Sequence, residues 1–255
     1  MFAYVVAAAC AVAVVVVASL VVRRLRSTSD DNDPGGPTVA HAGSIISALF
    51  LIAFAIAIVV PWTTADAARL NTYSETQAIA EASWAAADFP APAAQTVQAG
   101  LRDYAQFVRT TEWPLMAHGR LAGEGWSRLE EMRRGVSALA MDGDQAKDAQ
   151  DAVLGHLSEI SAARRQRAMD AAASPPPGLI VITVLTGLAV VVLPLLGGAR
   201  PRGWALAPLT LMAGLLGVGI FLTMDISHVF AGALAVTPDA FANVLPELQR
   251  ISFSG

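Results

Sequence analysis

The chain has 255 residues, of which 55% are hydrophobic and only 15% are charged, and its mean hydropathy is +0.51. A soluble domain of ordinary composition carries about 25% charged residues, so this composition favours an integral membrane protein. The formal net charge of −4 supplies no basic surface, which excludes nucleic acid as an expected partner. The single cysteine, Cys10, excludes a disulfide within the chain.

Residues 1–63 contain two predicted membrane spans joined by a flexible loop. The first span, about residues 2–22, is a nearly unbroken alanine and valine run, long enough to cross a hydrocarbon layer of about 30 Å. Because no positively charged residue precedes it, we expect a retained span rather than a cleaved signal peptide. The second span, about residues 44–62, ends at Pro61 and Trp62, and tryptophan is typical of a membrane interface.

Residues 64–177 are predicted to form a helical soluble domain. The helix of the second span continues without a clear stop signal to about residue 88. Three further helices are expected at about residues 93–112, 126–139 and 145–172, and no stretch has the alternation of a strand. Apolar stripes with helical spacing support two of these helices: Val97, Leu101, Tyr104 and Val108 in one, and Val153, Leu157 and Ile160 in another.

Residues 178–222 contain the third and fourth predicted spans, about residues 178–196 and 204–222. Ala213 and Gly217 in the fourth span have the small-xxx-small spacing that lets helices approach closely in lipid. This spacing suits packing within the chain as well as an interface between copies.

Residues 223–255 form a C-terminal segment with one short amphipathic helix. Thr237 is a good N-cap and Pro238 a good first helical residue, so the helix is expected to cover about residues 238–249. It can lie on the membrane surface or dock on the soluble domain.

The predicted fold class is therefore all-α, a multi-pass cell-membrane protein with four transmembrane helices and a helical soluble domain between the second and third. Arginines mark both short loops of this topology, and the positive-inside rule places such loops in the cytoplasm. The soluble domain would then face outward, although three further arginines close to the third span oppose this orientation. The loop arginines are Arg23, Arg24, Arg26, Arg200 and Arg202, and the opposing ones are Arg164, Arg165 and Arg167.

No catalytic or metal-binding motif is present in the sequence. The four histidines are scattered, and none has the spacing that places two metal ligands on one helical face. There is no glycine-rich phosphate loop and no nucleophile elbow. We therefore expect neither an enzyme nor a cofactor.

Phe50, Phe54 and Ile58 recur every four residues on one face of the second span, and Ser47 lies near the same face. A ring of apolar side chains can gate a pore by dewetting, so these four residues are the candidate pore lining. Contact with lipid or with another helix would produce the same pattern.

Two pairs of charged or ionisable residues flank the predicted spans. Asp66 and Arg69 follow the second span, and Asp225 and His228 follow the fourth. In an oligomer such residues could line a vestibule or an interface and select ions by their charge, whereas a solvated helix face is the default interpretation. A solvated helix face is also the default interpretation for the next acidic residues along the helix, Glu75 and Glu81.

Several of these segments, taken in their order along the chain, carry a resemblance to a known family. The run HAGSIISALFLIAFAIAIVVPW is followed by Glu81 and Trp84 before FPAP, by Tyr104, and by the triplet Glu112-Trp113-Pro114. This series resembles the bacterial bestrophin-like membrane family, a domain of unknown function grouped with the bestrophins. The C-terminal residues that share the resemblance are Asp225, Phe230, Gly232, Val236, Pro238 and Phe241.

The resemblance implies a homo-oligomeric channel for anions such as chloride, a pentamer by analogy, in a lipid bilayer. In bestrophins the second span lines a narrow apolar neck, and Phe50, Phe54 and Ile58 have the spacing of such a neck. The helical domain would be cytosolic, contrary to the arginine count. No acidic cluster that could form a calcium clasp is found. The proline that the family has after the terminal aspartate is missing, and Ile226, Ser227 and His228 follow Asp225 instead.

A second hypothesis comes from another class of function. The chain could be a non-conducting membrane scaffold or sensor, in which the helical domain binds a partner or a ligand and the spans only anchor it.

Overall fold

A computed structural model describes most of the chain, and every regular element among the described residues is helical, with no strand. The all-α prediction is therefore confirmed for them. They are residues 5–6, 9–13, 16–17, 20–21, 24, 37–173, 177–196, 207–226, 228–232 and 234–254. Outside them lie much of the predicted first span, the linker at 25–36, the loop at 197–206 and most of the loop arginines.

The longest element is α1, Pro37–Ala86, a single helix of 50 residues. At about 1.5 Å per residue it is about 75 Å long, well beyond the thickness of a bilayer. Pro61 removes one backbone donor within it, yet the helix continues on both sides. The prediction that the second span runs on into a polar helix is confirmed, and the helix ends just before a turn at Phe89 and Pro90.

The chain divides into two compact units. Unit one comprises residues 1–62 and 175–227, and unit two comprises residues 63–174 and 228–255. The C-terminal segment, which we expected to be a separate region from residue 223, thus contributes its residues from 228 onward to unit two.

Unit one contains the start of α1 and two apolar helices. Among the described residues, α1 is the one helix that is long and apolar enough to cross a membrane. The other two carry shorter apolar stretches, Gly178–Leu193 and Thr210–Asp225. The helices themselves are α6, Pro177–Leu196, and α7, Ala207–Asp225.

Unit two is a small helical domain built on the predicted apolar stripes. All residues of both stripes are buried, as predicted. A π-helical turn, Val108–Glu112, interrupts the helix that we expected at residues 93–112. The helices are α2, Ala91–Phe107; α3, Trp113–Met116; α4, Gly123–Ser137; α5, Asp144–Ala172; and α8, Asp239–Ser254.

The C-terminal helix α8 docks on the rest of unit two, which decides between the two places considered for it. Phe241 is fully buried, and its ring lies 5.9 Å from that of Trp113, edge to face. Trp113 also contacts Phe230 edge to face at 5.4 Å. Arg102 Nη2 of α2 also donates a hydrogen bond to Ser252 Oγ of α8 at 2.6 Å, and both residues are half-buried.

Candidate functional site

Phe50 and Phe54 of the predicted pore lining pack against the other helices of unit one. Their rings stack with centroids 5.4 Å apart and planes 18° apart. A Cβ atom on Gly187 of α6 would lie 3.1 Å from Phe50, and one on Gly219 of α7 would lie 2.6 Å from Phe54. The two glycines thus provide the space that the two rings occupy.

The opposite face of the same helix is apolar and largely exposed in the part of the chain that the structure describes. Ser47 and Ile58 are half-buried and belong to the phenylalanine side. The side chains on the other face are between 46% and 61% exposed; they are Ile45, Ile52, Ile56 and Val59. A role of the phenylalanine side in lining a pore remains a prediction.

The predicted charge pairs lie on different parts of the molecule. Asp66 and Arg69 are both exposed on α1 in unit two. Asp225 is half-buried at the end of α7 in unit one, whereas His228 is exposed and belongs to unit two. Their roles in a vestibule or at an interface also remain predictions.

The most concentrated polar chemistry in the described structure is a buried charge cluster in unit two. It consists of Glu75, Tyr104, Glu112, Arg164 and Arg167, and none of these five residues is exposed. Two positive and two negative charges balance. Removing such charges from water costs several kcal/mol per ion unless each is paired and hydrogen-bonded.

Each guanidinium of the charge cluster binds one carboxylate through two nitrogens, and that of Arg167 reaches a second carboxylate through its third. Arg167 donates from Nε to Glu75 Oε2 at 2.8 Å and from Nη2 to Glu75 Oε1 at 3.0 Å. Its Nη1 reaches Glu112 Oε2 at 3.0 Å. Arg164 donates from Nη1 to Glu112 Oε2 and from Nη2 to Glu112 Oε1. Glu112 therefore bridges the two arginines in a geometry that favours Arg over Lys.

Backbone and aromatic groups complete the charge cluster around Arg164. Its Nη2 donates to the carbonyl of Ala122 at 2.8 Å, and the Ala122 N–H donates to Glu112 Oε1 at 3.1 Å. The guanidinium lies 4.8 Å from the ring centroid of Trp126, a cation–π contact. A Cβ atom on Gly125 would lie 2.3 Å from Arg164 Nη2, so only glycine leaves room for this arginine.

The sequence places these charges where apolar residues would otherwise continue. Along α5, the stripe of Val153, Leu157 and Ile160 continues at helical spacing into Arg164 and Arg167. The carboxylate that binds both arginines, Glu112, is the last residue of the π-helical turn and is buried. Single π-helical turns inside α-helices are frequent at functional sites.

The buried environment changes proton affinities in a consistent direction. Burial, reinforced by the negative charge of Glu75, raises the pKa of Tyr104 well above 10.0. Its hydroxyl donates to Glu75 Oε1 at 2.7 Å. Burial lowers the pKa of Arg167, but the charge and hydrogen bonds of Glu75 outweigh burial and leave it raised. Both arginines therefore stay charged and Tyr104 stays neutral.

These contacts correct two expectations from the sequence. The sequence predicts a solvated helix face for Glu75 and Glu81; Glu75 is fully buried instead, whereas Glu81 is exposed as expected. The sequence also predicts Arg164, Arg165 and Arg167 as charges close to the membrane. Arg164 and Arg167 pair with buried carboxylates instead, and Arg165 alone of the three is exposed.

The charge cluster can hold helices together, and it offers no access to a substrate. It ties α1 to α5, and Asn71 reinforces this by donating to Asp170 Oδ2 at 2.8 Å. Within the described residues, no three His, Cys, Asp or Glu side chains are grouped so that they could hold a metal ion. The signal available in the sequence was the pair of arginines that extends an apolar stripe.

The chain is thus an all-helical protein of two units. Unit one carries the apolar part of the long helix α1, and unit two carries the paired buried charges. A family model described as the Bestrophin-like domain matches residues 5–241. This match covers nearly the whole chain, so the chain belongs to the bestrophin-like family, as the sequence resemblance indicated. Searches among curated proteins and among solved structures gave no significant match.

Proposed function

We propose that the chain is one subunit of a homo-oligomeric, multi-pass ion channel of the cell membrane, with α1 lining the pore. The observation that carries this proposal is the uncovered apolar face of α1. Only 17% of its most apolar 18-residue window is buried within the chain. Apolar surface of this extent must be covered by lipid or by other copies of the chain.

Either of two faces of α1 could line the pore. The predicted lining is Ser47, Phe50, Phe54 and Ile58, and its two phenylalanines are already engaged with glycines of the same chain. The face that carries Ile45, Ile52, Ile56 and Val59 is largely exposed among the described residues and could border a central axis. We favour the second face, where branched aliphatic side chains would form the dewetting constriction.

The ion is proposed to be a small anion such as chloride. Arg69 is exposed on α1 a few residues beyond the apolar segment and could attract anions in an oligomer, although Asp66 nearby reduces the positive field. The family grouping supports an anion more than these two charges do.

Chloride efflux from liposomes that contain the purified oligomer tests the function, and cysteine accessibility tests the lining. In a Cys10→Ala background, Ile52→Cys and Phe54→Cys would be treated with a water-soluble, charged thiol reagent. We expect the reagent to reduce flux severalfold at residue 52 and to leave it unchanged at residue 54. Leu51→Cys, which is exposed on a different side of α1, is the matched control and should not react in lipid.

The opposite pattern, with block at residue 54 alone, would assign the pore to the phenylalanine side. Absence of chloride and cation flux from protein that is folded and oligomeric would overturn the channel proposal. It would leave the scaffold or sensor as the working hypothesis.

A further inference from the structure

A groove of about 480 Å³ lies between α2 and α4 in unit two. This volume is within the range of about 300–1,000 Å³ that is typical of small-molecule sites. Its apolar lining includes Ala93, Val97, Met132, Val136 and Leu139. Gly100 lies next to Met132, since a Cβ atom there would be 3.0 Å from the Met132 sulfur. A flexible thioether of this kind adapts to irregular ligands.

Three charged side chains line the same groove: Asp103, Arg128 and Glu131. Arg128 is already paired, because its Nη2 and Nε donate to Glu124 Oε1 at 2.7 and 3.1 Å. Its guanidinium also lies 4.7 Å from the ring centroid of Phe107. The carboxylates of Asp103 and Glu131 are exposed and make no hydrogen bond or ion pair with the described part of the chain.

We propose that this groove binds a small organic cation that has an apolar, preferably aromatic, body and one positively charged nitrogen. The body would cover the exposed surface of Met132 and Leu139, and the charged nitrogen would approach Asp103 and Glu131. Charge complementarity selects this class, because the uncompensated charge of the groove is negative. An anion of the same shape would meet two carboxylates and an arginine that is already neutralised. This site does not depend on whether the chain conducts ions.

The structure offers a variant that fills the groove without disturbing the fold. Gly135 lines the groove on α4, and a Cβ atom there would meet no atom within 4 Å. A phenylalanine at this position can therefore occupy the groove, and replacing glycine does not lower helix propensity. Gly155 on α5 is the matched control, since a Cβ atom there also meets nothing within 4 Å and the residue is not part of the groove lining.

The first experiment uses berberine, a planar aromatic cation whose fluorescence rises in apolar surroundings. It would be titrated into the full chain in nanodiscs of neutral lipid, with empty nanodiscs subtracted. We expect saturable binding by the wild type and by Gly155→Phe, and at least tenfold weaker binding by Gly135→Phe. Absence of saturable binding to the wild type, or equal binding by the two phenylalanine variants, would overturn the proposal.

The second experiment tests the charge. Asp103→Asn and Glu131→Gln should each weaken berberine binding by up to about fivefold, as expected for an exposed ion pair. Glu130→Gln, an exposed neighbour outside the groove lining, should have no effect. Equal affinity of the wild type for the anion 1-anilinonaphthalene-8-sulfonate would contradict a cation site. A change in oligomer mass caused by Gly135→Phe would show instead that a second copy covers the groove, which would also overturn the proposal.

Discussion

Arg167 illustrates how much a single buried charge contributes to unit two. Its guanidinium binds both Glu75 and Glu112, so Arg167→Ala leaves carboxylates buried without their cation. Removing one partner of a buried pair costs about 3–5 kcal/mol. We expect this loss in the free energy of unfolding, measured by urea unfolding with tryptophan fluorescence as the readout. Arg165→Ala, the exposed neighbour on the same helix, should change stability little.

The coupling between the two partners provides the decisive control. Glu75→Ala alone should also be strongly destabilising, but the double variant should lose less than the sum of the single losses, because neither charge is then left uncompensated. Strict additivity would mean that Glu75 and Arg167 contribute independently and that their pairing is not the source of the stability.

Tyr104 makes the folding stability of unit two depend on pH in the alkaline range. Burial, with the charge of Glu75 second, raises its pKa in the folded chain above that of the unfolded chain, which is about 10. The folded state therefore keeps a proton that the unfolded state releases. The stability from this shift is fully present below pH 10 and declines as pH rises further.

The corresponding measurement compares the wild type with Tyr104→Phe between pH 8 and about 11. The variant loses the hydrogen bond to Glu75 and should be about 1–3 kcal/mol less stable at pH 8, yet its stability should fall less steeply above pH 10. Parallel stability curves for the two proteins would contradict this assignment.

At the scale of elements, the packing of α7 on α1 depends on Gly219. A Cβ atom there would lie 2.6 Å from Phe54 Cζ and 2.9 Å from Cε2, so Gly219→Ala must displace the ring. Overpacking of this kind costs about 1–3 kcal/mol, and we expect a lower melting temperature in lipid nanodiscs. Gly214→Ala on the same helix is the control, because its nearest neighbour, Val12 Cγ2, is 3.9 Å away.

A second-site change distinguishes this clash from a general effect of alanine. Phe54→Leu shortens the side chain that faces Gly219, so it should restore part of the melting temperature lost by Gly219→Ala. If Phe54→Leu and Gly219→Ala were additive, the ring would not be the cause of the loss.

Sequence periodicity predicted the elements better than the contacts between them. The stripe of Val97, Leu101 and Tyr104 predicted both a helix and its buried face. The same reasoning failed at Glu75, because charged residues on a helix are usually solvated. Its partner Arg167 lies 92 residues away, and periodicity within one helix carries no information on such a distant pair. The packing of Phe50 and Phe54 on glycines of other helices could not be predicted from periodicity for the same reason.

For the whole molecule, the arginine count and the family resemblance predict opposite sides of the membrane for unit two. The predicted short loops carry five arginines. Unit two carries four within about 15 residues of the apolar segments, close enough to count in the positive-inside rule, but buried carboxylates neutralise Arg164 and Arg167. The first set is Arg23, Arg24, Arg26, Arg200 and Arg202, and the second is Arg69, Arg164, Arg165 and Arg167.

Of the second set only Arg69 and Arg165 are exposed, so the arginine count favours cytoplasmic loops, whereas the resemblance to bestrophins implies a cytosolic domain. We give the resemblance more weight and expect unit two in the cytoplasm. Ser137 is exposed at the end of α4, so Ser137→Cys in a Cys10→Ala background should react with a membrane-impermeant maleimide only after intact cells are permeabilised. Ser29→Cys, in the predicted first loop, should react before permeabilisation. The reverse pattern would place unit two outside the cell, where the arginine-bearing loops alone would put it.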